Sequence, residues 1–327
     1  MSALDCTGKR SITKDILSTG SLLMIAIFAV AMQLHGVAVD QSHTVDVQMH
    51  NVMYHFTDSI AVHIRSLNGR LVPVKGDLPV FDDKDSFKIQ IDSAAIAITP
   101  DSLANVLNSY VFRAQDAPLK NISIRIDSAD HLKVKGKLHS KGDVPFETDG
   151  TLSATADGKI LLHAEKIKAL HLPVKGLMDL LGIDIADLIK TGKVRGIEIQ
   201  KDDLVLDPEK LLPPPHVLGR VTAVQVHAGQ IIQIFGDVTK TPDWRLSAAN
   251  YMAYRQNQLR FGKLTMSDTD LVLIDMDAKD PFDFYLDHYK EQLVAGYTKE
   301  TPSFGLRVYM RDYNKLHRGK SNSTVKR

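Results

Sequence analysis

The residues best equipped for chemistry in this chain are its histidines and a run of aspartates near the C-terminal end. Thirteen histidines are spread over 327 residues. A helical metal site needs two of them four residues apart, as in H-E-x-x-H, and no such pair occurs. His50 with His55, or His131 with His139, could approach across a hairpin, although exposed strand histidines are the better account of them. Asp268, Asp270, Asp275, Asp277, Asp280, Asp283 and Asp287 offer the clustered oxygens that a hard cation such as calcium takes. The glycine and closing glutamate of an EF-hand loop are missing, and Asp280-Pro-Phe-Asp283 reads as a turn. A solvated acidic loop is therefore the expectation, and no metal is assigned. No G-x-S-x-G surrounds a nucleophilic serine. Carboxylate pairs that could serve a glycosidase are present everywhere and specific nowhere. The expectation is a protein that is not an enzyme and needs no cofactor.

Charge narrows the partners. Lys plus Arg number 40 against 39 Asp plus Glu, and such a near-neutral chain is a poor match for nucleic acid, which demands concentrated basic charge. The single cysteine, Cys6, rules out an intramolecular disulfide. It precedes the apolar run of the chain, so it is not a lipoprotein cysteine, and a free, inert thiol is expected.

That run spans Leu17 to Val39 without a charge, and its densest part includes Leu22, Leu23, Ile25, Ile27, Phe28 and Val30. As a helix it would reach roughly 30 Å, enough to cross a bilayer core. Lys9, Arg10 and Lys14 precede it, and the next basic residue is Arg65. The positive-inside rule then places the N-terminus in the cytoplasm and the bulk in the periplasm or outside the cell, held by a single pass. A cleaved signal peptide is the competing reading, since Ala29-Val-Ala31 offers small residues for cleavage. Both readings imply export.

Beyond the run, strands dominate. Apolar and polar residues alternate at Val45, Val47 and Met49, at Ile60, Val62 and Ile64, at Phe87, Ile89 and Ile91, at Ile122, Ile124 and Ile126, and at Leu132 and Val134. Period-two alternation buries one face and wets the other, which is the mark of antiparallel sheet. Asp157-Gly158 suits a type I′ turn. Lys201–Asp203, Ala228-Gly229 and Gln256-Asn257 read as further turns, the last returning Tyr251–Tyr254 into Leu259–Leu264. One helix starts at Pro100-Asp-Ser102 behind Thr99 as N-cap, and its apolar stripe is Leu103, Val106, Leu107, Tyr110 and Val111. A second is expected from about Val174 to Leu181, breaking at Gly182, with a further turn through Ile189. Pro213-Pro-Pro215 predicts a stiff, extended link that could fix one rim of a groove. The expected fold class is α+β, predominantly antiparallel β. A curved sheet packs on two amphipathic helices, with one N-terminal hydrophobic helix in front.

The stretch Asp207-Pro-Glu-Lys-Leu-Leu-Pro-Pro-Pro-His-Val-Leu-Gly-Arg-Val-Thr-Ala-Val, its continuation through Val226–Gly236, and the strand-to-helix passage from Ile98 resemble the LmeA-like family of bacterial envelope proteins. Leu259–Met266 looks like part of a longer form of that family. The resemblance covers about half the chain, from Phe87 to Gly236. It implies an exported domain of tubular lipid-binding type that holds phospholipid and has no catalytic motif. The expected organisation is a cytoplasmic N-terminus (1–15), an anchor or signal peptide (16–39), leading strands (40–85), a lipid-binding-like core (86–236), a β-rich extension (237–313) and a disordered basic tail (314–327).

The residues expected to line an apolar groove are Leu103, Val106, Leu107, Tyr110, Leu177, Leu180 and Leu181. A solidly packed core would demand the same residue types. The alternative function is therefore a non-enzymatic envelope scaffold that recruits a protein partner.

Overall fold

The computed structural model describes residues 43–317, apart from 118, 129–130, 140–142, 170–171, 175–193, 195, 201–202, 241–243 and 245. Three long strands come first, β1 (Val45–Thr57), β2 (Ile60–Pro73) and β3 (Phe87–Ile98), paired antiparallel as a meander. Helix α1 (Pro100–Val106) and a π-helical turn (Leu107–Val111) lead into a second sheet. That sheet holds β4 (Leu119–Ile126), β5 (His131–His139), β6 (Asp143–Ala154), β7 (Ile160–Ala169), β8 (Leu172–Val174), β9 (Ile197–Gln200) and β10 (Asp203–Leu206). Its path is β4-β5-β6-β7-β10-β9, with β8 folded back on β7.

Short helix α2 (Pro208–Leu211) and strand β11 (Val217–Leu218) return the chain to β3. The hairpin β12 (Val221–His227) and β13 (Gln230–Gly236) then extends the first sheet on the edge of β3. The remaining strands are β14 (Tyr251–Arg255), β15 (Leu259–Phe261), β16 (Leu264–Met266), β17 (Asp270–Asp275), β18 (Phe282–Tyr285), β19 (Tyr297–Glu300) and β20 (Leu306–Met310). Helices α3 (Tyr289–Val294) and α4 (Tyr313–His317) sit among and after them. The large sheet has eleven strands, running β12-β13-β3-β2-β1-β14-β17-β20-β19 with β11 and β18 attached. It is mostly antiparallel and curls into a half-barrel.

The alternating stretches of the sequence become strands as expected. Val45, Val47, Met49, Ile60, Val62, Ile64, Phe87, Ile89 and Ile91 are all buried. The boundaries drawn after 85 and after 236 instead fall inside one sheet, because β2 pairs with β3 along most of its length and β14 adds to β1. From Ser42 onward the chain forms one compact unit.

Two turns and the proline link differ from expectation. Gly158 has φ 88°, but Asp157 keeps a negative φ. The hairpin is therefore a wider turn, with the Gly158 N–H donating to the Thr155 carbonyl at 3.0 Å. The two left-handed residues of a type I′ turn occur instead at Ala228 (φ 50°) and Gly229 (φ 76°). Gln256 and Asn257 are also left-handed, yet they do not return β14 onto β15. β14 pairs with β17, and β15 and β16 form a small hairpin of their own. The proline run is not one straight strut, since it bends between α2 and β11 and Pro214–Pro215 is cis.

Strand β1 holds the large sheet together by changing partners midway. Asp46–His50 pair antiparallel with β14, and Val52–His55 pair parallel with β18. Asn51 stands at the change with φ 54°, a conformation that asparagine tolerates better than most residues. Its amide donates to Asn250 Oδ1 at 2.7 Å, and its carbonyl oxygen meets His63 Nε2 at 2.8 Å. Asn250 passes the connection on, donating to Asp275 Oδ2 at 2.9 Å and to the Asp280 carbonyl at 2.5 Å.

The loop between β2 and β3 is fastened by Phe81, which is 2% exposed. Its ring lies 5.0 Å from Phe261, 5.4 Å from Tyr289, 5.6 Å from Tyr254 and 6.1 Å from Phe284. Edge-to-face packing of this kind adds to the area buried. Phe81→Ala is expected to cost about 3–5 kcal/mol, read as a lower urea midpoint at unchanged slope. A loss below 1 kcal/mol would show that the ring cluster does not fasten this loop.

Candidate functional site

Alternation gives each sheet one apolar face, and the two faces enclose two hollows. In the first, the large sheet contributes Tyr54 and Phe56 from β1, Val62, Ile64 and Leu67 from β2, Ile89, Ile96 and Ile98 from β3, and Ile231 and Phe235 from β13. The other side is closed by Leu103 and Val106 of α1, Leu152, Ile160 and Leu206 of the second sheet, and the α2–β11 segment through Leu211, Leu212 and Val217. The second hollow lies on the inner face of the smaller sheet, against Ile122, Ile124, Leu132, Phe146, Ala164 and Leu204, with Leu107 and Phe112 opposite. Leu103, Leu152 and Leu206 line both, so the two hollows adjoin across these three side chains.

The hollows are apolar. The first holds about 920 Å³ free of atoms and the second about 800 Å³, each counting the part open to solvent. Among the described lining residues, Gln233 carries the only amide and Tyr54 the only hydroxyl of the first hollow, and Thr148 is the only polar residue of the second. Burial holds the Tyr54 phenol far above its ordinary pKa, so it stays neutral. A trapped water needs two to four polar partners, and these walls do not supply them.

Of the residues expected to line a groove, Leu103, Val106 and Leu107 do so. Thr99 caps α1 as expected, accepting from the Ser102 N–H at 3.1 Å. Tyr110 packs against the core margin and lines neither hollow. The π-helical turn through Leu107–Val111 shifts the helical phase there, so the 3.6-residue stripe does not continue to Tyr110. Val174 ends strand β8, opposite Ile167, rather than starting a helix. Leu177, Leu180 and Leu181 lie outside the described residues, as do Leu22, Leu23, Ile25, Ile27, Phe28 and Val30. Among the described residues no helix is long and apolar enough to cross a membrane. Most of the lining comes from strand residues such as Leu152, Ile160, Leu206 and Phe235. Their alternation marks them as inward-facing but cannot say that the space in front of them stays open.

The polar candidates resolve into a structural lock. Asp277, Asp280 and Asp312 bring carboxylate oxygens within 4.8 Å of one another. Lys315 occupies that position, with Nζ 2.7 Å from Asp277, 3.0 Å from Asp280 and 2.6 Å from Asp312. The ammonium does what a bound cation would do, and these carboxylates hold its pKa far above the lysine range, Asp277 most strongly. Residues 313–317 are thus helical and pinned, where a disordered tail was expected from 314.

Three other aspartates of the run have partners of their own. Asp270 pairs with Arg307 at 3.0 Å, Asp283 with His55 at 2.6 Å, and Asp287 with Lys84 at 2.9 Å. His50 and His55 do not meet, since His50 binds the Ala249 carbonyl and His55 binds Asp283, while His131 faces Glu165. Trp244 stacks under the Arg255 guanidinium at 4.8 Å, and Tyr254, Tyr285 and Tyr289 are buried in the core.

No family model, curated protein or solved structure matches the chain. The site is therefore interpreted from its own geometry.

The lock has a pH signature. Burial raises the Asp275 carboxyl to about 6 from the ordinary 3.8, outweighing its hydrogen bond from Asn250. A folded pKa above the unfolded one contributes stability that is full below about pH 4 and lost as pH rises through 6. Asp277 has the opposite sign, because the hydrogen bond from Lys315 lowers its pKa and its contribution is lost as pH falls. Asp275→Asn removes only the first effect. Its stability relative to the native chain should rise between pH 4 and pH 7, by up to about 3 kcal/mol, in urea titrations at each pH. A constant offset at both pH values would contradict this assignment.

Proposed function

We propose that this protein binds the apolar chain of a membrane lipid in the adjoining hollows between its two sheets, without chemical turnover. The observation that carries this reading is a pair of apolar hollows that share Leu103, Leu152 and Leu206 as a common wall. A slot formed by two adjoining hollows suits a flexible acyl chain better than a broad, rigid ring system. About a dozen buried methylenes contribute roughly 10 kcal/mol, against an association cost of about 4–15 kcal/mol. Firm binding therefore requires most of a long chain to be covered, and two adjoining hollows offer that length. The described lining residues carry no charge to hold a headgroup, so the polar end of such a ligand stays at a mouth of the slot.

The reading agrees with what the resemblance to LmeA-like proteins implies. With the uncharged run at Leu17–Val39 as an anchor, the protein would hold a phospholipid beside the membrane that supplies it, on the periplasmic or outer side. The second reading is an envelope scaffold with a solid core. It is favoured by β19, an edge strand of the large sheet with all four residues exposed, which is free to take a partner's strand.

Native mass spectrometry of residues 40–327, purified without detergent from cells with membranes, separates the two. A stoichiometric lipid adduct is expected, and it should fall at least tenfold in Leu206→Arg and in Leu152→Trp, which charge and fill the junction. Val308→Ala, in the packed part of the large sheet, should lower the Tm yet keep the adduct. A folded protein that carries no lipid would favour the scaffold.

A further inference from the structure

The strands that wall the second hollow have another face. In β4–β7, residues one position out of phase with Ile124, Leu132 and Phe146 point away from the hollow, and the register fixes who meets whom there. Arg125 stands opposite Lys133, Lys133 opposite Asp149, and Asp149 opposite Lys166. The adjoining row runs Ser123, Lys135, Glu147 and Lys168, and the next pairs Lys120 with Lys137. Along these rows the four strands present seven cations and two anions, and Asp143 of β6, Glu165 of β7 and Asp127 beside Lys133 add acidic groups to the same surface.

The two anions are already engaged. Lys135 binds Glu147 at 2.9 Å, and Lys133 lies 3.6 Å from Asp149 and 3.8 Å from Glu147 and from Asp127. Lys120, Arg125, Lys137, Lys166 and Lys168 make no ion pair with a described residue, and all but the half-buried Lys120 are exposed. The whole chain carries a net charge of only +1, so this surface gathers cations that are balanced elsewhere, in part by the aspartates at 268–287. Like charges placed side by side on paired strands repel one another. The Lys–Asp and Lys–Glu neighbours stabilise the sheet, but the like pairs Arg125–Lys133 and Lys120–Lys137 do not, and a broad anionic partner would relieve them.

We infer that the outward face of β4–β7 docks on the surface of a bilayer containing anionic lipids. A flat, mixed-charge sheet face with lysines at spaced positions fits a plane of mobile headgroups. No pocket or aromatic platform for a particular anion is seen on it. The geometry also rests on, and deepens, the lipid-binding reading. The same four strands carry the cationic face outside and the apolar hollow inside, so docking would bring the lipid slot within one sheet thickness of the headgroups. Attraction of this kind fades beyond about 10 Å at 0.1 M salt, which makes it short-ranged and salt-sensitive.

The test uses the full-length chain and flotation with vesicles of phosphatidylcholine alone or with 30% phosphatidylglycerol, at about 50 and 500 mM NaCl. The hydrophobic run inserts in either vesicle, so the excess bound to the anionic vesicles reports the surface. The excess should be at least tenfold at low salt and should vanish at high salt. It should be lost when Lys120, Arg125, Lys137, Lys166 and Lys168 are changed to Glu, and also when they are changed to Gln, with Tm checked for both variants. Reversal of the four basic residues of the tail, Arg318, Lys320, Lys326 and Arg327, should leave it in place. An excess that survives the sheet variants, disappears with the tail variant, or is absent from the native chain overturns the proposal. Lipid extraction from the same samples keeps the two readings apart. A sheet variant that loses the anionic excess but still carries lipid upholds both. A native chain that shows the excess but carries no lipid upholds the docking face and refutes the slot.

Discussion

Strands β1, β2, β3 and β13 place Tyr54, Val62, Ile64, Ile96, Ile231 and Phe235 on one face, and strands β4–β7 place Ile124, Leu132, Phe146 and Ala164 on another. Neither face can be left to water without forfeiting the burial that stabilises it. The two sheets are therefore bound to turn these faces toward a shared interior. What separates this protein from an ordinary sandwich is the way that interior is closed. Among the described residues, Leu103 of α1, Leu152 and Leu206 line the space on both sides of the middle. Its walls offer water few polar partners, Gln233, Tyr54 and Thr148 among the described residues, so the space suits an apolar occupant.

Rigidity comes from the far side of the large sheet. Strand β1 keeps both of its halves paired by exchanging β14 for β18 at Asn51, and Asn250 ties that exchange to Asp275 and Asp280. Lys315 then closes the aspartate cluster, while Gln292, fully buried, donates to the carbonyls of Asp283 and Arg311 and accepts from the Tyr285 N–H. Most buried polar groups there find a partner within the chain, as a low-dielectric interior demands, while Asn314 Oδ1 has no hydrogen-bond partner among the described residues. The acidic run that invites a metal in the sequence is thus structural. Its positive counterpart arrives from α4, forty or so residues away, where the sequence alone gives no reason to look.

Period-two alternation was enough to locate β1–β5 and the antiparallel character of the fold, because burial on one face writes itself directly into Val45, Val47 and Met49 or Ile60, Val62 and Ile64. The start of α1 was legible for the same kind of reason, since Thr99, Pro100 and Asp101 are local signals for a local structure. Pairing partners were not. The left-handed pair Gln256-Asn257 marks a sharp change of direction, yet which strand follows it in space depends on β17, brought in across the β15–β16 hairpin. Tyr110 shows the limit on the helical side, because the π-helical turn after Val106 leaves no trace in the apolar spacing. The openness of the hollow was beyond sequence altogether. Leu152, Ile160 and Leu206 would read the same in a solid core.

The central claim, that an acyl chain lies between the sheets, is tested most directly by methyl NMR of the protein with ¹³C-labelled Leu, Val and Ile methyls and a phospholipid spin-labelled midway along one chain. Binding within the slot predicts strong broadening at Leu152, Ile160 and Leu206, and little at Leu271 or Val308 in the packed half of the large sheet. Broadening confined to exposed methyls such as Leu264 and Val294, with the Leu152 and Leu206 signals untouched at saturating lipid, would contradict the account.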